Sequence, residues 1–211
     1  MIKAVLFDID GVLLDSEESN RDFLRRLFKE FGYKAPSKEE YRKVFHLNLW
    51  DVIEVLTKEQ NRDKIQQIWN RGSSYPDYED EFLKTQKGLD EVIKELNKSY
   101  KLGIVTGRVQ SGVDEFFNFS GLKNYFDTVV CYDDYSKSKP HPEGLLLAIS
   151  KLDVRPEEAV YVGDAQTDMI AAEKAGIHFI LFPENPKIKT KFVAKQFGDI
   201  PEILEDYFAR K

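Results

Sequence analysis

The stretch Lys3-Ala-Val-Leu-Phe-Asp-Ile-Asp-Gly11 joins a short apolar run to two acids one residue apart. Four apolar residues in succession, with no polar alternation, mark a strand covered on both faces, the habit of parallel sheets in α/β folds. An extended chain alternates its side chains, so Asp8 and Asp10 point the same way and Ile9 the other. Two carboxylates then converge beside Gly11, a residue that lets backbone approach a ligand closely. Crowded carboxylates repel unless a cation or a shared proton relieves them, which suits metal-assisted or nucleophilic chemistry. An EF-hand loop is excluded, because it would need an oxygen ligand at Val12 and a glycine at Leu13. Taken alone, the motif is equally a strand ending in solvated acids at a turn, so the rest of the chain decides.

Composition narrows the classes. The 211 residues carry a net charge of -6 and are 42% hydrophobic and 32% charged, as in a soluble globular chain with a sizeable core. No basic stretch stands out, which argues against nucleic acid as the main partner. A single cysteine, Cys131, forms no intramolecular disulfide and follows two valines, so a buried, inert thiol is expected. The apolar N-terminal run is too short for a signal peptide, and no window approaches the ~20 apolar residues of a membrane helix. A cytoplasmic protein, monomer or homodimer, is the default expectation.

Three further apolar runs predict strands: Leu102-Gly-Ile-Val105, Thr128-Val-Val-Cys131 and Ala159-Val-Tyr-Val162, with a fifth candidate at Ile177-His-Phe-Ile-Leu181. Helical periods lie between them, at Leu89, Val92, Ile93 and Leu96, at Leu145, Leu146, Ile149 and Leu152, and at Ala171, Ala172 and Ala175 closed by Gly176. Alternating helix and strand predicts a doubly wound, Rossmann-like parallel sheet with the Asp8 strand near its centre. Residues 16–84 break that rhythm with amphipathic helices only, the first carrying Phe23, Leu24, Leu27, Phe28 and Phe31 and opened by a capping-box-like Asp15-x-x-Glu18. The expectation is a core of residues 1–15 and 85–211 with a helical cap at 16–84, crossed near 14–17 and 83–88. A last short helix carries Ile203, Leu204, Tyr207 and Phe208.

Each remaining strand ends in chemistry-bearing residues. Thr106-Gly-Arg108 follows the second, Lys137-Ser-Lys-Pro-His-Pro142 leads on from the third, and Gly163-Asp-Ala-Gln-Thr-Asp168 follows the fourth. Ligands of open α/β sheets bind outside the carboxyl ends of the strands. Asp8, Asp10, Thr106, Lys139 and Asp164 would therefore meet at one edge. As a set, these motifs make the chain resemble the haloacid dehalogenase superfamily, in the subgroup with a helical cap after the first strand, which includes phosphoglycolate phosphatases and β-phosphoglucomutases.

The resemblance implies a phosphatase acting on a small phosphorylated metabolite, such as a phosphoglycolate-like monoester. Asp8 would be the nucleophile that forms an aspartyl-phosphate and Asp10 the general acid and base. It also implies Mg²⁺ held by the Asp8 side chain, the Asp10 carbonyl and Asp164. Asp168 would support the ion, or else be an ordinary acid in a first helical turn. Thr106 and the Gly107 amide would bind the phosphoryl group, with Lys139, rather than Lys137, neutralising it. Arg108 reads either as a substrate contact or as a surface salt bridge. A 2-haloacid dehalogenase would have no use for Asp10. A phosphomutase is the alternative, although Phe45-His-Leu-Asn-Leu-Trp50 matches no mutase pattern, and the intact set of Asp8, Asp10, Thr106, Lys139 and Asp164 argues against a binding protein on the same scaffold.

Overall fold

The structure, a computed structural model, describes residues 1–74 and 82–208. Five strands, β1 (Ala4–Phe7), β2 (Lys101–Val105), β3 (Thr128–Val130), β4 (Ala159–Gly163) and β5 (His178–Leu181), form one sheet in the order β3-β2-β1-β4-β5. All neighbours run parallel, with Phe7 opposite both Ile104 and Val162. The strand that carries Asp8 is therefore central, as the apolar runs predicted.

The pleat of β1 shows why that run is uninterrupted. Val5 and Phe7 enter one hydrophobic cluster, with helices α5 (Leu89–Leu96), α6 (Gln110–Ser120) and α9 (Ile200–Phe208). Ala4 and Leu6 enter another, on the opposite face, with α7 (Glu143–Leu152) and α8 (Gln166–Ala175). All four side chains are fully buried, so a polar residue anywhere in β1 would be stranded without a partner. In α9 Leu204 is buried, and the side chains of Tyr207 and Phe208 lie outside the described residues. Cys131 is buried at the end of β3, and burial pushes its thiol up to about 11, as expected of an inert cysteine.

Among the described residues, four α-helices lie between β1 and α5: α1 (Glu17–Glu30), α2 (Lys38–Arg42), α3 (Leu49–Thr57) and α4 (Arg62–Ser74). They enclose a third cluster built from Phe23, Leu24, Leu27, Phe28, Ile53, Ile65 and Ile68, with Trp50 and Trp69 packed against it. Residues 75–81 of this stretch lie outside the described part.

One local expectation fails here. Asp15 does not cap α1: the N-cap is Ser16, which makes no side-chain cap hydrogen bond. Residues 13–15 are instead drawn into an extended crossing, with Leu14 bridged antiparallel to Thr85 and the Asp15 N–H donating to Lys84 O at 2.9 Å. A true capping box sits at α2, where the Ser37 hydroxyl accepts from Glu40 N at 3.2 Å and the Glu40 carboxylate accepts from Ser37 N at 2.8 Å. Among the described residues, no helix is long and apolar enough to cross a membrane.

Candidate active site

Asp8 follows the last residue of β1, and its backbone N–H still bonds Val162 O at 3.0 Å, which fixes its Cα to the sheet edge. Its carboxylate accepts from Ile9 N at 2.8 Å and from Lys139 Nζ at 2.6 Å. Lys139 reaches it from the loop before α7, and also meets Asp168 at 2.7 Å and the Tyr161 hydroxyl at 2.9 Å. Burial opposes the charge of this ammonium, yet Asp168 and Asp8 lift it well above the ordinary lysine value. Lys137 is exposed, so of the two lysines only Lys139 enters the site.

Asp168 opens α8 and does two things at once. One oxygen pairs with Lys139, and the other accepts from Ala165 N at 3.1 Å, which caps the helix. It is a first-turn acid, as one of its two readings expects, but only 1% exposed and paired with Lys139. Gly163 leaves room for it, since a Cβ there would fall within 2.6 Å of the Asp168 Cβ.

Asp8, Asp164 and Asp168 each offer an oxygen within 4.8 Å of the other two. Burial raises Asp8 to about 6 against the pull of Lys139, with Asp168 and Asp10 adding to the rise. Burial likewise raises Asp164 well above its ordinary value, and the Asp168 and Asp8 charges add to it. Among the described residues Asp164 accepts no hydrogen bond, although Lys139 stands nearby. Three hard oxygen donors sharing one ammonium leave negative charge uncompensated, and a divalent cation fits such a set. Gly11, at φ +76°, has its Cα against Asp164, and any Cβ would collide with that carboxylate.

Asp10 is engaged elsewhere. Arg108 Nε donates to its Oδ2 at 2.9 Å and Nη2 to its Oδ1 at 2.8 Å, while Asn20 Nδ2 of α1 donates to Oδ1 at 2.8 Å. Burial opposes ionisation here too, but the Arg108 fork overrides it and holds Asp10 at about 2. Arg108 is 8% exposed, so the surface-salt-bridge reading of it is wrong. Its position directly after Thr106-Gly107 was the one sequence signal that could have found it.

One cavity of about 120 Å³ gathers Asp8, Asp10, Gly107, Arg108, Lys139, Asp164 and Asp168 at its floor. Thr106 does not line it: it is fully buried behind the wall, its hydroxyl accepting from Arg108 N at 3.2 Å. The roof comes from α1 and from the 41–52 stretch, with Tyr41, Phe45, His46, Asn48 and Asp51. Asn48 Nδ2 reaches across to Ser138 Oγ at 3.2 Å, and Trp69 of α4 lies 6.1 Å, centroid to centroid, from Tyr132. Sequence reasoning missed Tyr161, Asn20, Asn48 and Ser138. His141 stays outside the cavity, its Nδ1 accepting from Glu143 N at 3.3 Å.

Comparison with known proteins agrees with this fold. The family model described as haloacid dehalogenase-like hydrolase matches residues 5–182. The chain is 31% identical to pyrophosphatase PpaX of Bacillus cereus, over 97% of each protein. Its fold is similar to CbbY from Rhodobacter sphaeroides in complex with phosphate, with a TM-score of 0.83, 24% identity and coverage of 95% and 96%. It is also similar to β-phosphoglucomutase of Clostridium difficile, with a TM-score of 0.81, 19% identity and full coverage of both chains. With the motif set, the parallel sheet and the family match in agreement, the chain belongs to the haloacid dehalogenase-like hydrolases.

Proposed function

We propose that the protein is a Mg²⁺-dependent phosphatase that hydrolyses a small phosphorylated metabolite through an aspartyl-phosphate on Asp8. The observation that carries this is the convergence of Asp8, Lys139, Asp164 and Asp168 on one small cavity, with Asp164 unmatched by any hydrogen-bond donor among the described residues. Asp8, Asp164 and the Asp10 carbonyl would hold the ion, with Asp168 in support. When bound, it would neutralise phosphoryl charge, which is most of what phosphoryl transfer asks of a site.

The residues supply the rest. Lys139 and the Ile9 N–H orient the Asp8 carboxylate, which ionises at about 6 and is therefore charged at neutral pH. An Asp8 oxygen attacks phosphorus as the bond from phosphorus to the leaving oxygen breaks; Asp10, ionised while Arg108 holds it, takes up a proton from solvent once that pair opens and gives it to the leaving oxygen. Water then attacks the phosphorus and gives a proton back to Asp10. The bond between phosphorus and Asp8 breaks, and inorganic phosphate leaves. Gly107 and Lys139 bind the transferred group in this reading, and Thr106, buried behind the wall with its hydroxyl accepting from Arg108 N, holds that turn in place rather than touching substrate.

Residues 16–84 act as a cap over a core of 1–15 and 85–211, and closure excludes bulk water. A cavity of about 120 Å³ is small for a ligand site, so the substrate is compact, on the scale of phosphoglycolate or pyrophosphate rather than a nucleotide. The single buried thiol suits a reducing, cytoplasmic setting.

The test is inorganic phosphate release from a panel of phosphoglycolate, pyrophosphate, hexose phosphates and nucleotides, with Mg²⁺, with chelator, and with Asp8→Asn. Release that needs Mg²⁺ and vanishes in Asp8→Asn is the expected result. Release that survives Asp8→Asn would overturn the mechanism, and release from no compound would overturn the phosphatase reading.

A further inference from the structure

As it stands, Asp10 cannot hand a proton to anything. Both of its oxygens are acceptors in a two-toothed pair with Arg108, at 2.8 and 2.9 Å, and Oδ1 takes a further hydrogen bond from Asn20 at 2.8 Å. Arg108 is anchored for this pose. Its N–H bonds the Thr106 hydroxyl at 3.2 Å, its carbonyl accepts from Tyr132 N at 2.8 Å, and Nη1 points back toward Gly112 O at 3.5 Å and Glu115 at 3.9 Å. The proposed reaction requires Asp10 to face the leaving group, so something must draw the guanidinium off it.

The cavity indicates what that something is. Among its described lining residues only Arg108 and Lys139 are cations of lysine or arginine type, and Lys139 is already committed to Asp8 and Asp168. Arg108 stands beside Asp10, the acid proposed for the leaving oxygen, on the floor of the cavity. The opposite, roof side presents Asp51, whose carboxylate repels an anion. A planar guanidinium fork accepts a carboxylate or a phosphoryl group with the same two-toothed geometry. The small volume requires that group to lie only a few atoms from the transferred phosphorus.

We propose that Arg108 is a substrate-displaced clamp. In the empty site it holds Asp10, and when substrate enters it passes to a second anionic group on the leaving side, releasing Asp10 to work on the leaving oxygen. Arg108 is then the residue that selects compact bis-anionic substrates, such as a diphosphate or a short carboxyalkyl phosphate, over esters of the same size with a neutral tail. This rests on the phosphatase reading given above.

The experiment compares kcat/KM for phosphoglycolate and ethyl phosphate, which differ in the tail carboxylate, in the wild type, Arg108→Lys and Arg108→Gln, all with Mg²⁺. The wild type should favour the anionic tail by about 100-fold, in line with a charge-assisted two-toothed contact. That ratio should collapse toward unity in Arg108→Gln and fall between in Arg108→Lys, which keeps the charge without the fork. A merely structural role would lower both substrates together and leave the ratio standing, which would overturn the proposal. Melting shifts give a second readout without turnover. Methylenediphosphonate with Mg²⁺ should stabilise the wild type more than ethylphosphonate does, and Arg108→Gln should lose the difference. Should Arg108→Gln not fold, the wild-type ratio decides alone: equal use of the two esters overturns the clamp while the phosphatase reading stands. Release from neither ester nor from pyrophosphate overturns both.

Discussion

Replacing Lys139 by methionine should unsettle the protein in a way that depends on pH and on metal. Lys139 is a nearly buried ammonium between two nearly buried carboxylates, at 2.6 Å from Asp8 and 2.7 Å from Asp168. Methionine keeps the volume of the side chain but strands both acids. Breaking a buried pair by removing one partner costs about 3–5 kcal/mol, which lowers the melting temperature of a chain this size by roughly 6–20 °C. The loss should not be uniform in pH. Asp8 is raised to about 6 in the folded protein from 3.8, so folding favours its protonated form, and the stability this gives is present below about 4 and lost as pH rises through about 6. Without Lys139 its folded pKa climbs further, so the gap between variant and wild type widens as pH goes from 4 to 8. Urea unfolding in chelator at pH 5 and pH 8 measures the gap directly. Added Mg²⁺ should restore part of the stability at pH 8, since a cation again faces the carboxylates, but none of the phosphate release. A loss under about 1 kcal/mol, equal at both pH values, would refute the picture of Lys139 as the counter-charge of the site.

Other expectations can be checked with the same preparations. Asp8→Asn should lower phosphate release by about 10⁴-fold or more, yet melt higher than the wild type in chelator at pH 8, because one of three crowded acids has gone; turnover and a melting curve test both halves. Gly11→Ala should cost about 1–2 kcal/mol for its left-handed backbone and push Asp164 aside, raising the Mg²⁺ concentration needed for half-maximal activity; an unchanged Mg²⁺ requirement would count against Asp164 as a ligand. Ser138→Ala removes only the bridge to Asn48 and should raise KM by about 5-fold for a lost hydrogen bond of roughly 1 kcal/mol, whereas Asn48→Ala also uncaps α3 and should lower its melting temperature too. Cys131 should resist a thiol reagent at pH 8 in the folded protein and react once urea unfolds it, as its thiol stands at about 11 in a buried site.

The sheet was legible because a parallel strand covered on both sides leaves an unbroken apolar run, and all five runs became strands within a residue or two. The residues just past those runs were legible for the same reason, since a strand's carboxyl end delivers whatever follows it to the edge. Side-chain reach was not legible. Arg108 bonds an acid 98 residues earlier in the chain, and nothing in Thr106-Gly-Arg108 says which way so long a side chain will turn. Tyr161 read as one more apolar residue of its run, yet its hydroxyl takes a hydrogen bond from Lys139 at 2.9 Å. Asp15 carried the right spacing for a helix cap and failed because its backbone was claimed by the crossing to Lys84. Long-range pairing overrode a local rule there.

The central place of β1 also bears on how the molecule comes into being. Its two neighbours in the sheet are strands that begin at Lys101 and Ala159, so β1 must wait for about half the chain before its first flank exists and for about three quarters before the second. Pairings that distant form late and slowly, because the loop must close before any contact rewards it. Helices α1–α4, whose apolar cluster among the described residues lies within 23–69, have their core partners close at hand and can gather while β1 is still unpaired. On a ribosome the helical layer would thus form first, and the carboxylate floor would be complete only after Gly163 and the acids beyond it have emerged.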